Sequence, residues 1–446
     1  MLSGSFLLLC AAGVPTQESA SPAIDLDVAL AAFEEARQLA AADAGALWGI
    51  PLDFPLLFID PVTRVCVANR AGGSAGQLLK PEGPEGRVWT GQYPDELIIA
   101  NATTQWAGRR WTMLAWPLPS DRLGRARLLM HESFHNAQYP LKIDGGGAGF
   151  CNHLATHDGR VWLRLEAQAL AAAIRSEADQ REEAAGDALL FRALRRALFP
   201  GVDAAEDGLE RLEGSAEYTG VRLASDDPGE QVKATVKLLE GLASRPSLTR
   251  SFSYATGPAL GLLLDEYDPF WREMFLRGET FTNMLAPAVW FEPPPNVQEL
   301  EAKARERAQH YGFEKIAAEE AAREKLRQSR LATYRQRYID GPVLILPALA
   351  PQSGFDPSRI EPLEGVGDVY GTLWLSDDWG VADAPGGGLI LRNQTVHLAL
   401  PRDVEGPELS GDGWTLELKP GWEVVPGKRD GDHRLVMVGE GEGAPG

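Results

Sequence analysis

The chain changes its hydrophobic rhythm twice, and those two changes constrain its fold more than any single residue does. Up to Pro119 the apolar residues come in short runs rich in β-branched and aromatic side chains: LLFID (56–60), RVCVAN (64–69), RVWTG (87–91), ELIIAN (96–101) and RRWTMLAWPL (109–118). Pro, Gly and Asp punctuate them, which is the pattern of a small sheet. One helix precedes it, over residues 25–45, Ala- and Leu-rich and ended by a glycine. From Asp121, a good N-cap, the spacing turns helical, with helices expected near 121–138, 160–177, 179–197, 205–224, 230–243, 254–266 and 297–338. After Gly341-Pro342 it switches again. VLILP, GTLWLS, GLILR, TVHLAL, WTLELK and HRLVMV alternate with Gly, Pro and Asp clusters, as in an all-β module. The expected fold class is α+β: an N-terminal part with a small sheet (21–120), a mostly helical part (121–340) and an all-β C-terminal module (341–446).

At 446 residues, two or three folding units are expected. The net charge of −20 argues against nucleic acid and anionic lipid as partners, since both recruit basic patches. No later stretch approaches the ~20 apolar residues of a membrane span. Residues 6–14 form a short apolar run followed by small and polar residues, which reads as a signal peptide over 1–20, although no Lys or Arg precedes it. An exported protein is therefore expected, whether periplasmic, envelope-associated or secreted. A Gly-rich tail from Gly439 is expected to fray. Beyond Cys10, only Cys66 and Cys151 remain; one disulfide and two separate buried thiols both fit, and neither makes a thiolate zinc site.

The first helix after the sheet contains HESFH, residues 131–135. Residues four apart sit one turn above each other, so His131 and His135 can point both imidazoles at one ion. Glu132 lies one step round, placed to reach a water at the open coordination position. Neutral nitrogen donors, a tetrahedral ion and a neighbouring base suit zinc. The competing reading is a helix with two satisfied histidines and no ion, and a third ligand distinguishes the two.

Downstream, LERLEGSAEYTG (209–220) supplies one. Here the chain resembles the gluzincins, zinc peptidases whose third ligand is a glutamate on a later helix, and in particular their aminopeptidase-like branch. The resemblance covers roughly residues 107–266 and implies a zincin-like catalytic unit with Glu213 as third ligand. It also implies that Glu217, one turn on, hydrogen-bonds a ligating histidine, which would fix its tautomer. Glu166, an acid in the apolar stretch VWLRLEAQAL, competes for the third position; otherwise it pairs an arginine such as Arg160 or Arg164. In SFSYATG (251–257) the resemblance implies that Tyr254 donates to the oxyanion of the tetrahedral intermediate; the alternative is a helix-start tyrosine packed on the core. The family's amine-binding glutamate is missing from the strand over 107–116, so exopeptidase specificity is not implied. That strand is expected at the sheet edge, where an extended substrate can hydrogen-bond.

Other clusters carry less. Asn152 and Asp158, near His153 and His157, fit turn and capping roles. His310, His397 and His433 are isolated. Trp106, Trp111 and Trp116 are five apart and cannot share one strand face, so they are expected in the core. The expected function is a zinc-dependent metallopeptidase acting on peptides or proteins. The alternative is a catalytically inactive, zinc-stabilised scaffold that binds partners through its β-module, with Glu166 closing the site.

Overall fold

The computed structural model describes residues 24–72, 79–82, 87–95, 97–146 and 149–438. The expected signal peptide and the Gly-rich tail lie outside the described residues. The chain is α+β and divides into two compact units, the described residues 24–93 with 101–322, and 94–100 with 323–438.

In the first unit, α1 (Leu26–Asp43) starts at Asp25, whose carboxylate accepts from the N–H groups of Asp27 and Val28. A six-stranded sheet follows: β1 (Leu56–Ile59), β2 (Val65–Ala68), β3 (Lys80–Glu82), β4 (Val88–Gln92), β5 (Ala102–Trp106) and β6 (Arg109–Ala115), in the order β3-β4-β2-β1-β6-β5. β1 pairs parallel with β6, and every residue of β1 is buried, as expected of a strand covered on both faces. Phe33 of α1 stacks on Phe58 of β1 with ring centroids 4.4 Å apart. Two strand expectations are corrected. β6 is interior, because β1 takes one of its sides and β5 the other; the edge strands are β5 and β3. Of ELIIAN, residues 97–100 form no strand and Asn101 makes only a bridge, and Ile98 instead sits against Gly354 in the second unit, where a Cβ on Gly354 would overlap it.

The helical part contains α2 (Arg122–Leu141), α3 (His157–Arg175), α4 (Ala178–Leu198), α5 (Asp203–Leu209), α6 (Ser215–Ala224), α7 (Pro228–Gly241) and α8 (Ser253–Tyr267). α5 runs into α6 through a π turn, Glu210–Gly214. Two short helices were not expected, α9 (Trp271–Leu276) and α10 (Phe281–Ala288). The single long helix expected over 297–338 breaks at Gly312, whose φ of +77° is left-handed, into α11 (Val297–Ala308) and α12 (Phe313–Arg335). Among the described residues no helix is long and apolar enough to cross a membrane.

Besides residues 94–100, the second unit takes in the chain from within α12 onward, earlier than the composition switch at 341. Leu331, Tyr334 and Tyr338 pack against Leu363, Val369 and Leu389 of the β-structure. Its strands are β7 (Val343–Pro347), β8 (Gln352–Gly354), β9 (Ile360–Leu363), β10 (Gly367–Tyr370), β11 (Leu373–Asp377), β12 (Gly380–Ala384), β13 (Gly388–Leu391), β14 (Thr395–Ala399), β15 (Glu408–Gly411), β16 (Trp414–Leu418), β17 (Trp422–Pro426) and β18 (His433–Met437). They form a seven-stranded sheet, β17-β18-β7-β14-β13-β10-β9, and a five-stranded sheet, β15-β16-β12-β11-β8.

Candidate metal centre

Three helical segments meet at the histidines, and glycines set how closely. A Cβ on Gly220 of α6 would lie 2.6 Å from the carbonyl oxygen of Arg127 on α2, so only glycine permits this approach. Glu213, Glu217 and Gly220 recur at helical spacing and so share the face turned to α2. A Cβ on Gly257 of α8 would overlap the Cα of Gly214, and this crossing places Tyr254, one turn earlier, beside Glu213. The π turn separates two acids three residues apart. Glu210 accepts from Arg192 at 2.6 Å and from the Thr256 hydroxyl at 2.5 Å, while Glu213 faces the histidines. Such turns recur at functional sites.

The Nε2 atoms of His131 and His135 lie 3.1 Å apart, and Glu213 Oε2 is 3.5 Å from the latter and 3.9 Å from the former. Each imidazole is held by its other nitrogen. His131 Nδ1 donates to Glu217 Oε2 at 2.7 Å, and Glu217 also accepts from Arg127. His135 Nδ1 donates to Gln138 Oε1 at 2.9 Å; the orientation of that amide follows from its Nε2 donating to the Leu212 carbonyl at 2.6 Å. Two neutral imidazoles so anchored aim Nε2 lone pairs at each other, an arrangement that needs a cation or a proton between them. A tetrahedral ion with ligands at about 2.0–2.1 Å sets its donor atoms about 3.3–3.4 Å apart, close to this spacing. Among the described residues, His131, His135 and Glu213 are the one group of three His, Cys, Asp or Glu side chains close enough to hold an ion. The donor set therefore fits a metal ion.

The surroundings are largely buried. Glu132 is 2% exposed, with Oε1 3.9 Å from His131 Nε2 and Oε2 buried without a hydrogen-bond partner. Burial pushes its carboxyl up to about 8, with His135 opposing and Glu213 adding to the rise. Burial also raises Glu213, but the bond and charge of His135 outweigh it and hold Glu213 at about 2. His135 is lowered by burial yet raised more by Glu213, to about 9. Burial, with the charge of His135, holds His131 well below the usual imidazole range. The Tyr254 hydroxyl donates to Glu213 Oε2 at 2.7 Å, and its ring stacks on His131 with centroids 5.6 Å apart.

Glu166 does not join them, and it does not pair Arg160 or Arg164 either. It accepts from Arg192 at 2.6 Å and from Arg195, inside a buried network that continues to Glu206, Glu210 and His153. Arg160 and Arg164 bind Glu320 instead, each at 2.7 Å. α4 carries Arg192 and Arg195 alongside α3, whereas the chain sequence points only to neighbours on the same helix. His153 donates to Glu206 at 2.7 Å and His157 to Asp158 at 2.7 Å. Cys66 and Cys151 are both free and buried. Trp106 and Trp111 are buried and Trp116 packs on Phe58, as expected of core residues.

The sequence reading missed Gln138 and Arg127, although both were accessible as the i+3 neighbour of His135 and the i−4 neighbour of His131. It also missed Arg250, buried over the Phe150 ring at 5.4 Å and contributing to the low value of Glu213. No protein-family model matches the chain, and no curated protein or solved structure matches it.

Proposed function

We propose that the protein is a zinc-dependent metallopeptidase that hydrolyses peptide bonds. The observation that carries this reading is the buried His131–His135–Glu213 set with an unpartnered Glu132 oxygen beside it. A binding protein has no use for a buried, unsatisfied carboxylate next to its metal ligands, and such a group costs stability wherever it lacks a task. His131, His135 and Glu213 would hold the ion. Zinc bound there supplies Lewis acidity toward a carbonyl and a lowered pKa for water. Glu132 would take the proton from the attacking water and return it to the leaving amine, its carboxylate lying beside His131 Nε2. Tyr254, whose phenol O–H donates to Glu213 Oε2, would turn that O–H to the developing oxyanion. Glu217 and Gln138 keep both imidazoles in the metal-binding tautomer. The substrate is a peptide or protein, and export is proposed with this activity from the apolar N-terminal run alone.

The test is digestion of a mixed peptide library by zinc-loaded wild-type protein and by Glu132→Gln, with products read by mass spectrometry. Cleavage is expected from the wild type and lost in the variant while both retain one zinc. If neither cuts and both hold zinc, the inactive scaffold reading replaces the peptidase.

A further inference from the structure

Arg250, just ahead of α8, carries a guanidinium with no acid to bind. It is 7% exposed, its Nη2 is buried without a hydrogen-bond partner, and its side chain makes no hydrogen bond or ion pair with any described residue. The acids of this region are engaged elsewhere: Glu206 with Arg195 and Arg196, Glu210 with Arg192, and Glu213 with His135 and Tyr254. A buried cation without an anion costs stability, and an apolar side chain of like size would fill the space without that cost.

Its place is fixed from both sides. The Arg250 carbonyl accepts from the hydroxyl of Ser253, the first residue of α8, at 3.2 Å. The neighbouring Thr249 carbonyl accepts from the Cys151 N–H at 2.8 Å. That second bond brings in Phe150, over whose ring the guanidinium lies at 5.4 Å. The ring attracts the charge but does not satisfy the N–H groups as a carboxylate does. Tyr254 follows four residues later, a separation of at most about 14 Å, and its hydroxyl donates to Glu213. The charge of Arg250 reaches Glu213 too. Burial raises that carboxyl, while His135, His131 and then Arg250 lower it. A guanidinium held this way suits a carboxylate, which its fork can meet with two hydrogen bonds and little loss of side-chain freedom.

We infer that Arg250 receives a carboxylate of the substrate near the bond that is cut, either the C-terminal carboxylate of a peptide or an Asp or Glu side chain. The inference rests on the proposed peptidase function and gives it a substrate class. Its probes are N-acetylated randomised octapeptides in three sets: free C-terminus without Asp or Glu, C-terminal amide without Asp or Glu, and C-terminal amide with both. Each set is digested by the zinc-loaded full chain, and its retention is measured on zinc-loaded Glu132→Gln, where turnover is blocked. A carboxylate set is expected to be cut and retained at least about tenfold better than the uncharged amides. That ratio should fall below about threefold in Arg250→Gln and recover in part in Arg250→Lys. The comparison between sets on Arg250 itself stays decisive even if Arg250→Gln does not fold. Preference for the first set identifies the C-terminal carboxylate, and preference for the third an acidic side chain. Cutting without a carboxylate preference, or a preference that survives Arg250→Gln, overturns the inference and leaves the peptidase standing. Arg250-dependent retention without cutting keeps the carboxylate site and removes the peptidase; neither cutting nor retention removes both.

Discussion

His131 and His135 can offer Nε2 to an ion only while Glu217 and Gln138 hold the opposite nitrogen, so under the proposed function metal affinity would depend on residues outside the ligand set. Removing such a partner typically lowers affinity 10–100-fold. Glu217→Gln and Gln138→Ala are each expected to weaken zinc binding by that order, measured by competition with a chromophoric chelator. Glu132→Gln, which touches neither Nδ1, is expected to leave the affinity within about threefold. A large loss in Glu132→Gln would make Glu132 a ligand and remove it as the base. HESFH was legible because helical spacing alone puts both histidines on one face, whereas Glu213 and Glu217 were reached only through the resemblance to the gluzincins. Glu213 over Glu166 was not decidable that way: the choice depends on Arg192 and Arg195 reaching across from α4 to neutralise Glu166.

Helices carry the centre, and their crossings are set by residues with no side chain. Gly214 and Gly257 meet where α8 crosses the π turn, and a Cβ on Gly214 would come to 3.0 Å from Gly257 Cα. Gly257→Ala is expected to cost about 1–3 kcal/mol as α8 is pushed away. It should also weaken zinc binding by moving Tyr254 off Glu213, as read by thermal unfolding and the same chelator competition. An unchanged melting temperature would mean that the crossing is slack. Beside this contact, Glu206 is buried, which alone would raise it, but Arg195, His153 and Arg196 hold its carboxyl well below the usual range. A depressed folded pKa gives stability that is present above the unfolded value, about 4.3, and lost as pH falls, because the unfolded chain then binds a proton that the folded one does not. Glu206→Gln should cost about 3 kcal/mol near neutrality by stranding those cations. It should also flatten the decline of wild-type stability between about pH 4.5 and 3, followed by urea unfolding at each pH. A variant whose slope matches the wild type would place the acid-sensitive group elsewhere. Helix positions were largely legible from periodicity. The π turn and the loss of ELIIAN as a strand were not, because partners remote in sequence act there, Arg192 on Glu210 and Gly354 on Ile98, whereas the break at Gly312 is local, a glycine in the left-handed region.

At the scale of the whole chain, the composition switch at Gly341-Pro342 marks where strands begin, but the second unit takes in the chain from an earlier point, within α12. The difference has consequences for where the chain can be cut. His131, Glu132, His135, Glu213, Glu217 and Tyr254 all belong to the first unit. Its last ion pairs are those of Glu320, 1% exposed, with Arg160 and Arg164. Truncation after Ala322 keeps those pairs. Truncation after Asp340 also keeps Leu331, Tyr334 and Tyr338, now stripped of Leu363, Val369 and Leu389, and so exposes an apolar stripe. The shorter fragment is therefore expected to be the more soluble of the two, the reverse of what the composition switch suggests. It should bind one zinc with an affinity within about threefold of the full chain, because no ligand or imidazole anchor is lost. Ile98 would lose Gly354 in either fragment, so Ile98→Ser should improve the solubility of both. The measurements are sedimentation, far-ultraviolet circular dichroism and zinc stoichiometry on both fragments. A shorter fragment that keeps its helical signal but binds no zinc would show that the second unit is required to form the centre, and the two units would then have to be treated as one functional body.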